Sequence, residues 1–186
     1  GTHSEKSDYD YIMVTSTIIP DGVTQFFKDN VNVTIYNQHE FAKLITEHEI
    51  SILECLFLPT DMKYETIDFE FNLDLGKLRE AISAKASNSW VKAKKKMTVQ
   101  KDLDIYVGQK SLFHSMRILK FGIQLAEYGE IRYYDSGNWM WGSISTNHKN
   151  PLNGTQLFEA WEDYNLVWKR VYNLLKSDFK KVCPKV

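Results

Sequence analysis

The chain has 186 residues, 43% hydrophobic, 25% charged and 13% aromatic, with nine Gly and four Pro; this composition fills one ordinary globular domain or two small intimate ones and excludes disordered, collagen-like and low-complexity classes. No apolar run approaches the roughly 20 residues that span a bilayer, and Cys55 and Cys183 stand far apart without a CxxC or Cys/His spacing, which argues against a disulfide framework or zinc site and for a reducing, cytoplasmic setting. The formal charge of −1 argues against a generic nucleic-acid binder.

Gly1 to Tyr11 contains neither a basic n-region nor an apolar h-region, so no signal peptide is visible. Opening on Gly1 leads to the expectation that residues lie upstream. Tyr9 to Thr17 (YDYIMVTST) is rich in β-branched and aromatic residues and ends at the Pro20-Asp21-Gly22 turn signal, so it reads as a strand. Val23 to Asp29 predicts at most a short helix, and Val31 to Tyr36 (VNVTIY) alternates as a second strand. Gln38 to Glu49 sets Phe41, Leu44, Ile45 and His48 at helical spacing; Ser51 to Leu58, an apolar run closed by Pro59, reads as a buried strand or a short helix. Strand, helix and strand in this order imply a mixed α/β sheet.

Ile67 to Leu75 (IDFEFNLDL) alternates strictly and predicts a half-buried strand or extended segment. After Gly76 the texture becomes helical, with helices over Lys77 to Lys96 and Gln109 to Tyr128, the latter ended by Gly129. Ile131 to Ile144 is aromatic and turn-rich and predicts a loop or hairpin packed on the helices. Leu157, Trp161, Tyr164, Trp168, Val171, Leu175 and Phe179 recur at three- and four-residue steps, predicting a long amphipathic helix over Thr155 to Val182 whose aromatic stripe packs in the core. The fold class is therefore α+β, with a sheet-bearing core over residues 1–75 and a helical region over residues 76–186.

Charge follows this division. Residues 1–76 carry four Lys/Arg against fourteen Asp/Glu, residues 77–120 eleven against three, and residues 121–186 eight against seven. An acidic front and a basic middle suit a site where carboxylates hold cations and Lys/Arg hold polyanions; two solvated faces of opposite sign give the same pattern. The sharpest local feature is Ser7-Asp8-Tyr9-Asp10-Tyr11. Side chains two apart on a strand share a face, so Asp8 and Asp10 converge and repel unless a divalent cation such as Mg²⁺ or Mn²⁺ lies between them. The loop before them, Gly1 to Ser7, brings a Gly-Thr pair and a hydroxyl whose N–H and O–H groups can cradle a triphosphate.

Together these read G-T-(x4)-S-D-Y-D-Y, which resembles the signature of the polymerase-beta-like nucleotidyltransferase superfamily. Three further pieces are similar to its RNA repair pathway nucleotidyltransferase group: VTIYNQHEFAKLI (Val33 to Ile45), ISILECLF (Ile50 to Phe57), and a K-x-x-x-H-x-x-R helix pattern at Lys110, His114 and Arg117. The resemblance covers Gly1 to about Tyr134. It implies Mg²⁺-dependent transfer of a nucleotidyl group from an NTP to a hydroxyl, with an RNA end as one acceptor. Asp8 and Asp10 are then the metal ligands, and Gly1, Thr2, Ser7, Lys110, His114 and Arg117 contact the nucleotide. The helix pattern stands without the family too: positions i, i+4 and i+7 form one stripe of cationic donors, while Leu112, Met116, Leu119, Ile123 and Ala126 form another that faces the core.

The family's third carboxylate matches Asn32, an amide, which can coordinate Mg²⁺ through its carbonyl oxygen but cannot act as a base. Glu54, an acid inside an apolar run, is the substitute catalytic carboxylate; Asp68 and Glu70 are weaker candidates that a solvated strand face also explains. The basic run Lys92, Lys94, Lys95 and Lys96 beside Trp90 suits an RNA backbone with the ring offered for stacking, or a solvated helix end. Two alternatives stand beside the enzyme reading: a catalytically weakened nucleotide- or RNA-binding regulatory module of the same fold, and a helical adaptor without nucleotide affinity. Base identity and oligomeric state are not legible.

Overall fold

The structure, a computed structural model, describes residues 9–65, 68–146 and 154–185. It is α+β: among the described residues three strands, β1 (Tyr9–Thr15), β2 (Val23–Lys28) and β3 (Val31–Asn37), precede six α-helices. The helices are α1 (Gln38–Thr46), α2 (Ile50–Leu56), α3 (Leu75–Thr98), α4 (Ile105–Tyr128), α5 (Asn138–Thr146) and α6 (Gly154–Val182). The chain divides into two compact units between Asn72 and Leu73. Among the described residues no helix is long and apolar enough to cross a membrane.

In the first unit the sheet order is β1-β3-β2, with β1 parallel and β2 antiparallel to the central β3. The segment expected to form at most a short helix, Val23 to Asp29, is instead β2. Seven residues are too few to stabilise an isolated helix, whereas hairpin pairing gives every residue from Val23 to Lys28 a partner on β3. Asp29, at φ 53°, turns the hairpin in the left-handed region that Asp tolerates. The period of two places Asp10, Ile12 and Val14 on one face with Asn32, Thr34 and Tyr36. Asn37 ends β3 and caps α1, its side chain accepting from the Glu40 N–H at 2.7 Å. That cap swings Phe41 under Tyr36, ring centres 6.0 Å apart.

The apolar run after α1 is the short helix α2, which buries Ile50, Ile52 and Leu53. The alternating segment ahead of α3 pairs with no strand over residues 68–74, and Ile67 lies outside the described residues. Its alternation still works as expected of an extended segment: Phe69 meets Phe41 at 4.9 Å, and Phe71 meets His48 at 5.0 Å and Phe57 at 5.6 Å. Asp68, Glu70 and Asn72 point to solvent.

The second unit is built on α4, which packs against α3, α5 and α6. Asp74 and Asp104 begin α3 and α4 by accepting from the N–H groups of Lys77 (2.9 Å) and Val107 (3.0 Å), and Gly129 at φ 74° ends α4. Gly122 lets three helices approach: a Cβ there would lie 2.7 Å from Ile82 of α3 and 3.0 Å from Phe179 of α6. The aromatic stripe of α6 is core, with Trp161, Tyr164, Trp168, Tyr172 and Phe179 buried; the Leu157 side chain lies outside the described residues. The segment expected as a loop or hairpin over residues 131–144 includes helix α5. Gln109 of α4 fixes it, donating from Nε2 to Ile144 O (3.1 Å) and to Tyr164 Oη (2.7 Å), while Tyr164 donates to the same carbonyl at 3.1 Å.

Candidate functional site

Asp10 lies on β1 directly beside Asn32 of β3. Parallel pairing and the shared face bring the two side chains together, and Asn32 Nδ2 donates to Asp10 Oδ1 at 2.8 Å. Asp10 is exposed, whereas Asn32 is half-buried and its Oδ1 is enclosed with no hydrogen-bond partner among the described residues. An enclosed acceptor beside a carboxylate is an oxygen pair that suits a hard cation, provided the amide turns its oxygen toward the ion. Among the described residues no group of three or more His, Cys, Asp or Glu is arranged to hold a metal. Asp8, Gly1, Thr2 and Ser7, the rest of the expected metal and phosphate set, lie outside the described residues.

Glu54 lies on helix α2 and is half-buried. It is not on a strand, and the position beside Asp10 in the sheet is held by Asn32. Burial, then the Glu54 carboxylate, pushes the neighbouring Cys55 thiol up to about 11, opposed by Lys63. Lys63 folds back onto this helix and donates to Leu56 O at 2.8 Å. Asp68 and Glu70 project from the extended segment into solvent, as a solvated face requires.

In the second unit α4 buries most of its circumference, and Lys110, His114 and Arg117 share its half-buried stripe. Lys110 Nζ lies 5.8 Å from the Tyr106 ring centre and Arg117 Cζ 4.7 Å from that of Phe121, so both charges rest on aromatic faces. Burial, then Arg117, Lys110 and Lys92, holds the His114 pKa down to about 4. The imidazole is therefore neutral near pH 7 and offers one N–H and one acceptor nitrogen. This corrects the expectation of three cationic donors: Lys110 and Arg117 carry the charge. Lys92 of α3, read from sequence as part of a separate run, acts on the same stripe.

Trp90, expected as a stacking ring, is core: it is 8% exposed, meets Trp161 at 5.8 Å and Tyr172 at 4.6 Å, and carries Lys169 Nζ at 4.7 Å. Beside the α4 stripe the available rings are instead Tyr106 and Trp141, 6.1 Å apart and edge to face. The sequence does not bring them together, since Tyr106 precedes the helix expected from Gln109, which in fact begins at Ile105, and Trp141 falls in the segment expected as a loop or hairpin. The spacing of Tyr106 and Lys110, one helical turn apart, was the signal present. Asp10, Asn32 and Glu54 belong to the first unit and Lys110, His114 and Arg117 to the second.

Comparison with protein-family models, curated proteins and solved structures yields no match.

Proposed function

We propose that the chain is a metal-dependent nucleotidyltransferase that passes a nucleotidyl group from an NTP to a hydroxyl acceptor. The observation that carries this reading is the acidic pair of the DYDY sequence, whose Asp10 lies on β1 beside Asn32, a residue with an amide oxygen enclosed and unpaired among the described residues. Asp8 and Asp10 would hold the ion, with Asn32 as a neutral oxygen ligand. Mg²⁺ or Mn²⁺ bound there supplies charge neutralisation of triphosphate oxygens and activation of the attacking hydroxyl. On the second unit Lys110 and Arg117 offer charge to phosphate oxygens, and neutral His114 offers a single N–H. Gly1, Thr2 and Ser7 would add loop donors.

A weakened nucleotide- or RNA-binding module is the second reading. It is favoured by the Asn32 amide, which donates to Asp10 where the family resemblance calls for an acid. Label transfer from α-³²P NTPs, assayed with all four bases and several RNA and small-molecule hydroxyl acceptors, separates the two. The enzyme reading expects Mg²⁺-dependent transfer that is abolished in the Asp8→Ala/Asp10→Ala variant. Nucleotide binding without transfer supports the module. A thermal shift with ATP and Mg²⁺ reports nucleotide binding, since ligand at 100 times Kd adds about 2.7 kcal/mol; no shift with any NTP removes the enzyme reading and the nucleotide-binding form of the module.

A further inference from the structure

The rim of α4 facing α5 combines rings and cations in one place. Tyr106 is 39% exposed, and Trp141, half-buried, meets it edge to face at 6.1 Å while its other side rests 5.8 Å from the buried Phe113. Lys110, one turn along, holds Nζ 5.8 Å from the Tyr106 ring centre, and Arg117 continues the stripe two turns on. Asp104, at the start of this helix, accepts the Val107 N–H as the cap of α4. Lys92, which is exposed, acts on the stripe from α3.

Partly exposed rings held rigid by packing beneath them, interleaved with cations one and two helical turns apart, match the chemistry of an unpaired strand, whose bases offer π-faces at intervals along a phosphate chain. A base pair hides those faces inside the duplex. Charge excludes an acid-poor or basic partner, and the half-buried setting of Lys110 and Arg117 makes each phosphate contact less screened than on an open surface.

We infer that the α4–α5 rim binds single-stranded polynucleotide, with Tyr106 and Trp141 stacking on bases and Lys110, Arg117 and Lys92 meeting the adjoining phosphates. A base that takes the Tyr106 face displaces Lys110 from it and leaves the ammonium beside the neighbouring phosphate. Strand binding here needs neither metal nor NTP, but it draws on the same Lys110 and Arg117 that the proposed transfer uses for phosphate, so strand and nucleotide compete for them.

The test uses the full chain with fluorescein-labelled oligouridylate and oligothymidylate of about 12 nucleotides, within the span of single-strand sites, and a duplex of equal length, all in EDTA. Single strands are expected to bind more tightly than duplex, with a salt slope of about −2 for three phosphates neutralised, and to quench tryptophan fluorescence. Tyr106→Leu and Trp141→Leu each weaken binding about tenfold, as loss of one base stack does, and Trp141→Leu loses most of the quenching. Trp139→Phe, on the opposite side of α5 against Trp168, retains both. Equal affinity for the two single strands means that bases and phosphates alone are read; preference for one of them adds a contact to the 2′-hydroxyl or to the thymine methyl, the two groups by which the strands differ. No binding, equal duplex affinity, or wild-type affinity in a folded Tyr106→Leu protein overturns the inference. Transfer activity is scored separately: Asp10→Asn that abolishes transfer but keeps oligonucleotide binding leaves this surface standing, and a wild-type protein that transfers without binding the oligonucleotides removes it while sparing the enzyme.

Discussion

Asn32 Nδ2 donates to Asp10 Oδ1 at 2.8 Å across the β1–β3 pair, so the one acid of the expected pair that the structure describes is already satisfied by a neutral neighbour. Replacing that neighbour by an acid sets two carboxylates face to face, which disfavours ionisation of both unless a cation joins them. Asn32→Asp is expected to lower Tm in EDTA and to regain it in millimolar Mg²⁺, with a larger Mg²⁺ response than wild type. Thermal melts with and without the ion check this, and a variant indifferent to Mg²⁺ removes the cation site.

His114 makes stability depend on pH. Its pKa is about 4 in the fold and about 6.5 in the unfolded chain. Between those values the unfolded state holds the extra proton, so the contribution is complete above about pH 7 and is lost as pH falls toward 4. The loss is at most about 3 kcal/mol. Urea denaturation of wild type and His114→Gln across this range is expected to show a shallower acid-side fall in the variant. Parallel pH profiles would mean that His114 is not held neutral.

The same linkage predicts how anions act on this stripe. A polyphosphate beside Lys110 and Arg117 offsets their repulsion of imidazolium and raises the His114 pKa. Tripolyphosphate is therefore expected to bind more tightly as pH falls from about 7.5 to about 5.5, with the gradient reduced in His114→Gln. Titration calorimetry at several pH values measures it.

Two glycines in α4 are expected to resist replacement by alanine. At Gly122 the added Cβ meets Ile82 Cγ2 at 2.7 Å and Phe179 Cε2 at 3.0 Å, side chains with no room to retreat in a three-helix contact, and overpacking costs about 1–3 kcal/mol. At Gly108 the closest atom is Met97 Cγ at 2.7 Å, near the root of a side chain that is itself buried, with the Ala93 carbonyl at 3.4 Å, so the gain of about 1 kcal/mol in helix propensity offsets only part of the overpacking. Both Gly122→Ala and Gly108→Ala should destabilise in urea titrations.

Tyr164→Phe removes one donor from the Gln109, Tyr164 and Ile144 cluster that fastens α5 to α4 and α6. A cost of about 1–2 kcal/mol is expected, with Trp141 emission shifting to longer wavelength as α5 loosens. Unchanged emission would place the anchor of α5 elsewhere.

Much of this architecture follows from local rules. The heptad-like stripes that become α3, α4 and α6, the cap residues Asp74 and Asp104, the left-handed Gly129 and the alternation through Phe69 and Phe71 are each dictated by the residue and its near neighbours. So is the placement of Asp10 on a strand and of Lys110, His114 and Arg117 on one helical stripe. These features depend on periods of two and 3.6, which a linear string displays directly.

Other features depend on partners distant in the chain. Val23 to Lys28, though four of its six residues (Val23, Thr24, Phe26 and Phe27) favour strands, is too short to hold that state alone and becomes a strand because β3 offers a ladder. Trp90 and Trp141 look equally available in the string, yet one is enclosed by Trp161 and Tyr172 and the other borders the cationic stripe. The neutrality of His114 likewise arises from burial and from Lys92 on another helix, and the Asn32 to Asp10 hydrogen bond from the pairing of strands 22 residues apart. Burial, desolvation and strand register are properties of the assembled chain, and they decide which of the chemically able residues act together.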